Sequence, residues 1–449
     1  MIFTNNHNNS IHRKRNKALG LPELIAIALG GMVGGGIFTI LGISVSMIGV
    51  FTPIAIILGG LIAAMAAYSY VKLGVYYKDE GATYSFYKKT FPHSPFAASL
   101  IGWWVIFGYI STLALYSYTF ASYAISGFAF ADSEWVRKLV AGAIIAVFAF
   151  INIWSVQGMG KVEDVMVYTK LIILVIISFV LINSSHATIP ILLQNSSETS
   201  ILSVLIVASI TFVAYEGFQL VIHAVNEMDE PEKNIPRAIY AAIIIASLIY
   251  FIISVGAIFA IPFEDIIKNK EYALAAGTHK LLGHWGTDLV IAGALLATSS
   301  AISGTLFGAS RLMAVIAQDG YFPALLAKRT NYIPVYAIVA MASLAFCLVL
   351  AGSLETILEF GSVTFLLVSL LMAYANYKIR HLTDSSAAIT IFSLFGLLMG
   401  TVLILYYEIS TQVQQMIFIV GIYALLTLGS WLYSKGKKNQ YGNQQGASH

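Results

Sequence analysis

From Leu21 to about residue 434 the chain is a succession of apolar runs, most of them 20 residues or longer, separated by short polar stretches. A helix needs about 20 residues to cross roughly 30 Å of hydrocarbon, so the pattern restricts the fold to a bundle of membrane-crossing helices. Twelve runs are legible, with cores at 21–47, 53–77, 96–128, 137–157, 162–183, 199–225, 237–262, 287–317, 333–351, 355–378, 386–408 and 413–434. Hydrophobic residues are 58% of the chain and charged ones 10%, too little polar surface to cover such a core against water. The first run is too long and too interrupted for a cleaved signal peptide and is expected to stay in the mature protein. No soluble domain is expected. The largest outer loops, 184–198 and 263–286, are short and polar, and the tails, 1–20 and 435–449, have the Asn, Gln and charge content of unstructured chain.

Lysine and arginine orient the spans, because positive residues in short loops stay on the cytoplasmic side. With both termini inside, 19 of the 25 basic residues fall on the inner face. These include Arg13, Lys14, Arg15, Lys72, Lys78, Lys88, Lys89, Lys233, Arg237, Arg311, Lys328, Lys378 and Lys437. Arg137, Lys138, Lys268, Lys270 and Lys280 fall outside, and Lys170 lies within the fifth span. The expected location is the cell membrane, plasma or inner, with both termini cytoplasmic. A net charge of +3 gives no argument for nucleic acid. The single cysteine, Cys347, excludes an internal disulfide framework and, in an apolar run, reads as a small buried hydrophobe.

Five of the seven residues from Gly30 to Gly36 are glycine, in the middle of the first span. A helix broken there leaves carbonyls and amides at membrane depth, which is tolerable only where they line a cavity or are buried in protein. The sixth span, SITFVAYEGFQLVIHAVNE, repeats the oddity: Glu216 and Gly217 lie near mid-depth and His223 toward the inner end. An ionisable residue at that depth faces a cavity, a partner or a proton path. Span one enters from the inside and span six from the outside, with five spans starting at each. Interrupted helices at matching places in two oppositely oriented halves point to a transporter built from inverted repeats, with its substrate at the midplane. The other reading of the glycines is a packing face, since Gly30 with Gly34 and Gly31 with Gly35 have small-xxx-small spacing.

These segments resemble the amino acid, polyamine and organocation transporter superfamily. GGMVGGGIF is similar to its glycine-rich unwound signature, and AYEGFQ looks like its second break. NEMDEPEKNIPRAI resembles the cytoplasmic stretch that follows, through Pro231, Ile235, Pro236 and Arg237. ALLATSSAISGTLFGASRLMAVIAQDGYFP resembles its segment ending in an acidic-Gly-aromatic-aromatic-Pro turn. The likeness runs from about Leu21 to Tyr377. It implies an all-α polytopic membrane protein of the LeuT type, with twelve transmembrane helices. The first inverted repeat would be 21–183, the second 199–378, and the remaining two spans 386–434, with helices one and six discontinuous.

The break in span one suits an amino acid. Amides at Gly34, Gly35 and Gly36 carry the positive end of a helix dipole and suit a carboxylate. Carbonyls from Ile27 to Gly31, and from Phe212 to Tyr215 in span six, suit an ammonium. Tyr109 and Tyr116 share a face of span three and, with Phe212 and Tyr215, are expected to line or gate the pocket, although interface placement is the default for aromatics. Trp103 and Trp104 fit an inner aromatic belt.

Lys170, in VMVYTKLIIL, is the second informative residue. The resemblance implies that it stands where sodium-coupled relatives hold an ion between spans one and eight, with Ser299, Ser300 and the carbonyls near Gly31 as partners. An ammonium stripped of water gives up its proton more readily, which suits proton coupling. Snorkelling to the inner interface is the plainer reading.

Glu216 departs from the family pattern: many relatives carry an acid two positions after the span-six glycine, where this chain has Gln219. Glu216 then has three readings: contact with a cationic substrate, a proton relay, or a protonated helix contact. His223 reads first as a packing or inner-vestibule residue. Arg311, near Asp319 and Gly320, is expected to pair with Glu227, Asp229, Glu230 or Glu232 in an inner gate.

No zinc-ligand spacing, P-loop, nucleophile elbow or dinucleotide fingerprint occurs in the sequence, and His186, His279 and His284 make no metal spacing. No enzyme activity, cofactor or metal is expected. The expected function is secondary active transport of an amino acid, neutral or cationic, by proton-coupled symport; an obligate exchanger of amino acids or amines is the alternative. The partners expected are this substrate, protons and the bilayer.

Overall fold

The computed structural model describes residues 19–154, 156–183, 199–269, 271–330 and 333–446. The basic N-terminal tail up to residue 18, the outer loop 184–198 and Lys270 lie outside the described residues. So do the side chains of Lys161, His279, Lys280, Lys437 and Lys438.

Every regular element in the described residues is a helix, and the only β-pairing is two isolated bridges. The helices are α1 (Leu21–Met32), α2 (Gly36–Ile48), α3 (Thr52–Tyr77), α4 (Ala82–Thr90), α5 (Pro95–Ile125), α6 (Glu134–Trp154), α7 (Val156–Asn183) and α8 (Ile201–Thr211). They continue as α9 (Leu220–His223), α10 (Pro231–Ala260), α11 (Phe263–Lys268), α12 (Ala273–Gln318), α13 (Val335–Ala351), α14 (Leu354–Lys378), α15 (Ala387–Thr411) and α16 (Val413–Gly446). Among the described residues ten helical stretches are long and apolar enough to cross a membrane, and two shorter apolar helices, Leu21–Met32 and Val335–Ala351, accompany them. The protein is therefore an all-helical polytopic membrane protein.

Local sequence explains the helix starts. The hydroxyls of Ser94, Ser200, Ser353 and Ser386 accept from the amides of Ala97, Ser203, Thr356 and Ile389. Each thus satisfies one of the orphan donors that open a helix. Pro53 and Pro95 stand in first turns, where a missing amide costs nothing. Gly283, at φ 64°, kinks α12 ahead of its long apolar part.

Span one is broken into α1 and α2 by Val33, Gly34 and Gly35. Span six is broken into α8, a 3-10 turn at Phe212–Tyr215 and the short α9. α1 packs beside α9, and α2 beside α8. The first half of one broken helix therefore meets the second half of the other, and the two run antiparallel. α5, α10, α12 and α14 surround them.

Basic residues collect at one end of the bundle. Lys78 pairs with Glu232, Lys88 with Asp319 at 2.6 Å, and Lys72 donates to the Asp384 carbonyl at 2.6 Å. Arg137 and Lys138 open α6 at the opposite end.

Three local expectations change, those for Cys347, Arg311 and the C-terminal tail, and Trp103 gains a packing role. Cys347 is exposed on α13, because in lipid an outward apolar thiol carries no penalty. Trp103 donates its indole N–H to the Tyr321 carbonyl at 2.9 Å and packs on Phe322, so it also braces α5 against the end of α12. Arg311 donates to the Phe307 carbonyl at 2.8 Å and lies over the Phe307 ring, not on the acids after span six. The last helix runs through 435–446, where unstructured tail was expected.

Candidate functional site

Breaking a helix between Val33 and Gly35 takes from the carbonyls of Gly30, Gly31 and Met32 their usual i+4 donors, the amides of Gly34, Gly35 and Gly36; Met32 keeps a bond at 3.0 Å from the Gly34 amide. Buried carbonyls need donors, and each of these three meets a side chain from a different helix. The ammonium of Lys170 on α7 donates to Gly30 at 2.8 Å. The hydroxyl of Tyr116 on α5 donates to Gly31 at 3.4 Å. The hydroxyl of Tyr250 on α10 donates to Met32 at 2.8 Å and lies 3.1 Å from the Ala214 carbonyl of the second break. Tyr250 is thus a bridge between the two breaks, and nothing in its apolar surroundings in the sequence marks it out.

The breaks also touch directly. Gly217 has φ +121°, which glycine adopts freely. A Cβ there would lie 2.5 Å from the Gly31 carbonyl carbon, and one on Gly31 would lie 2.5 Å from Leu220. Gly34 and Gly36 are equally confined, against Ala301 and Tyr116 and against Ala214. Packing and unwinding are therefore not alternatives here: glycine is needed both to break the helix and to let the two breaks meet.

Between them lies a cavity lined by Gly31, Tyr109, Thr112, Tyr116, Glu216 and Gly217, closed on the other side by Leu220, His223, Phe365 and α12. Its volume is about 20 Å³, the room of roughly one water, so a larger guest requires these helices to part. Glu216 is 3% exposed. One of its oxygens accepts from the Gln219 amide at 2.7 Å, and Gln219 in turn accepts from the Gly217 amide at 3.1 Å. Its other oxygen, Oε1, is buried without a hydrogen-bond partner. Gln219 thus holds Glu216 in place.

Lys170 is fully buried, and its ammonium also lies 3.4 Å from the Ser300 hydroxyl on α12. It links α1 to α12 across the protein interior and does not snorkel. Ser299, the next position, is half-buried. α2 begins at Gly35 and Gly36 with no side-chain cap.

The remaining expected site residues lie elsewhere. Ile27 is inside α1, more than a turn before its end. Phe212 and Tyr215 are fully buried beside the second break, and the Tyr215 hydroxyl donates to the Ile56 carbonyl at 2.8 Å, away from the cavity. Sequence reasoning missed the α12 wall, made by Gly304, Thr305, Gly308, Ala309 and Leu312. The i, i+4 spacing of its small residues was a readable signal. His223 lines the inner side and shares a 2.5 Å hydrogen bond with the Glu80 carbonyl. Among the described residues no group of histidine, cysteine and carboxylate side chains could hold a metal.

Two antiparallel broken helices around a shared cavity are an arrangement found in membrane transport proteins with discontinuous helices. The amino acid permease family matches residues 19–429. The chain belongs to that family. It is 27% identical to the inner membrane transport protein YbaT of Escherichia coli, over 94% of this chain and 97% of that one. It is 27% identical to the large neutral amino acids transporter small subunit 2 of Mus musculus, over 73% of this chain and 64% of that one. It is 26% identical to the chloroplastic cationic amino acid transporter 7 of Arabidopsis thaliana, over 80% and 65%.

Proposed function

We propose that this permease moves an α-amino acid, neutral or cationic, by alternating access in symport with protons, and that Lys170 is the group that loads and releases the proton. The substrate site is the cavity between the breaks. The carboxylate meets the uncapped amides that open α2, where the helix dipole favours an anion. The substrate's cationic group faces Glu216, whose Oε1 is buried without a hydrogen-bond partner among the described residues. Relatives named for large neutral and for cationic amino acids support that substrate range.

The observation that carries the coupling is the reach of Lys170 from the Gly30 carbonyl to the Ser300 hydroxyl. Charged, the ammonium ties α1 to α12; neutral, it holds that carbonyl less tightly, and the break is free to shift. Protonation and substrate binding then act on the same three residues, Gly30 to Met32. The basic end of the bundle faces the cytoplasm by the positive-inside rule, with both termini inside, in the inner or plasma membrane.

The test is uptake by purified protein in proteoliposomes, with and without an imposed inward proton gradient, against a panel of labelled neutral, cationic and acidic amino acids. Gradient-stimulated net uptake of neutral or cationic substrates is expected. Counterflow without net uptake would identify an obligate exchanger and remove the role of Lys170. Competition by acidic amino acids alone would overturn the role given to Glu216.

A further inference from the structure

The cavity between the breaks is bounded, toward the end of the bundle where basic residues collect, by His223 of α9 and Leu312 of α12. Next to His223 comes the turn 78–81, which joins α3 to α4. A short helix in a connection between two spans would ordinarily keep one face in water. Six of the nine residues of α4 are instead buried, with Tyr84 and Phe86 almost wholly enclosed. α4 packs on α5, α14 and α3. Lys78 and Ala82, on either side of the turn, take φ of 45° and 41°, left-handed values that persist in residues with side chains only where contacts impose them.

Two sets of contacts hold this segment in place. On the span-six side, the His223 ring and the Glu80 carbonyl share a 2.5 Å hydrogen bond, and since a carbonyl only accepts, Nδ1 carries the hydrogen. The Asn226 side-chain amide donates to the Glu80 carboxylate at 3.1 Å, and Lys78 pairs with Glu232. On the α12 side, the Tyr84 hydroxyl and the Lys88 ammonium both donate to one oxygen of Asp319, each at 2.6 Å, just past the end of that helix. Both walls of the cavity mouth are thus fastened to the same segment. Asp319 and Glu232, the acids expected near Arg311, are held by Lys88 and Lys78 instead. These contacts are able to part and re-form. Lys88 and Asp319 are 43% and 28% exposed, and ion pairs that share water to this degree are weak.

We propose, on the reading of this cavity as the substrate site with the basic end in the cytoplasm, that α4 and the turn 78–81 form its inner gate. His223 and Asp319 are the side chains that latch the gate, and cargo leaves on this side when both latches part. The His223 ring is at once cavity wall and latch, so a guest that crowds the ring loosens the hydrogen bond to Glu80. Asp319 answers from the opposite wall: freed from Tyr84 and Lys88, it lets α4 move away from the end of α12.

The experiment uses the full chain in inside-out and right-side-out vesicles, with Cys347→Ser removing the native thiol and Ala309→Cys placing one on the cavity wall. A membrane-impermeant thiol reagent applied to the cytoplasmic face should label position 309 about two- to fivefold faster in His223→Ala and in Asp319→Asn, the factor that loss of one partly exposed contact implies. Labelling from the outer face should not rise. Equal rates with and without the latch substitutions would overturn the gate, and so would a rise from both faces alike, which reports general loosening. In a second arm, Glu80→Cys with Asn226→Cys, again with Cys347→Ser, is bridged by a short reducible bifunctional thiol reagent. Net uptake should stop and return on reduction; uptake that continues in the bridged protein would overturn the gate. L-leucine and L-lysine test the reading beneath it. If neither slows the labelling of Ala309→Cys, the cavity is not the substrate site and that reading fails, whereas protection with unaltered rates in the latch variants removes the gate alone.

Discussion

The ammonium of Lys170 lies 2.8 Å from the carbonyl oxygen of Gly30, an oxygen that would bond the Gly34 amide if the first span were a continuous helix. A side chain on α7 thus takes the place of a backbone donor that the glycine run removes. Whatever changes the charge of Lys170 changes the hold on the break, and this is the physical link that the proposed proton coupling uses.

Lys170→Met keeps the length and removes the charge and its donors. Proton-gradient-driven uptake is expected to fall about tenfold or more, as loss of a charge-assisted hydrogen bond worth about 1.5–3 kcal/mol implies. Substrate exchange at equal pH should fall less. Gradient-driven uptake equal to wild type would remove Lys170 from the coupling mechanism.

Tyr250→Phe leaves the Ala214 carbonyl without this donor and the Met32 carbonyl with the Gly34 amide alone. An unsatisfied buried carbonyl costs about 1–3 kcal/mol, so the variant should unfold at lower temperature in detergent and transport more slowly. An unchanged unfolding temperature would mean that the hydroxyl bridge contributes nothing.

Gly217→Ala and Gly308→Ala are expected to separate two uses of glycine. At Gly217 a Cβ meets backbone at 2.5 Å and the φ is positive; at Gly308 it meets nothing within 4 Å. The first should destabilise by about 1–3 kcal/mol and abolish uptake. The second should fold normally and raise KM for the bulkiest accepted substrate several-fold. Substrate competition and thermal unfolding read both, and a Gly217 variant with normal uptake would contradict the close approach of the breaks.

Asp79, in the turn after α3, contributes a pH dependence outside the membrane. Partial burial works against its charge, but hydrogen bonds from Lys89, Ser85 and the Gly81 amide outweigh that and hold the carboxyl below its usual range. A depressed carboxylate stabilises the fold at neutral pH and loses that contribution as pH falls through its folded value. Stability should be flat near neutrality and decline in acid, and Lys89→Met should lower the plateau and begin the decline at higher pH. Unfolding temperature against pH measures this, and identical acid limbs in the two proteins would refute the role of the pair.

Sequence alone determined the class of solvent, the positions of the long apolar helices, the glycine break and the second break at Glu216 and Gly217. These follow from length, hydropathy and backbone freedom, which are local properties. It also marked Lys170, because a lone cation in an apolar run has few physical readings. Tertiary structure decided which groups meet. Tyr250 bridges two breaks some 180 residues apart in the chain, Gln219 positions Glu216, and Arg311 turns to Phe307 instead of the acids after span six. Each depends on which helix faces are brought together, and no local property of an apolar run fixes that: in lipid, an outward thiol such as Cys347 and an inward phenol such as Tyr250 read alike until their neighbours are in place.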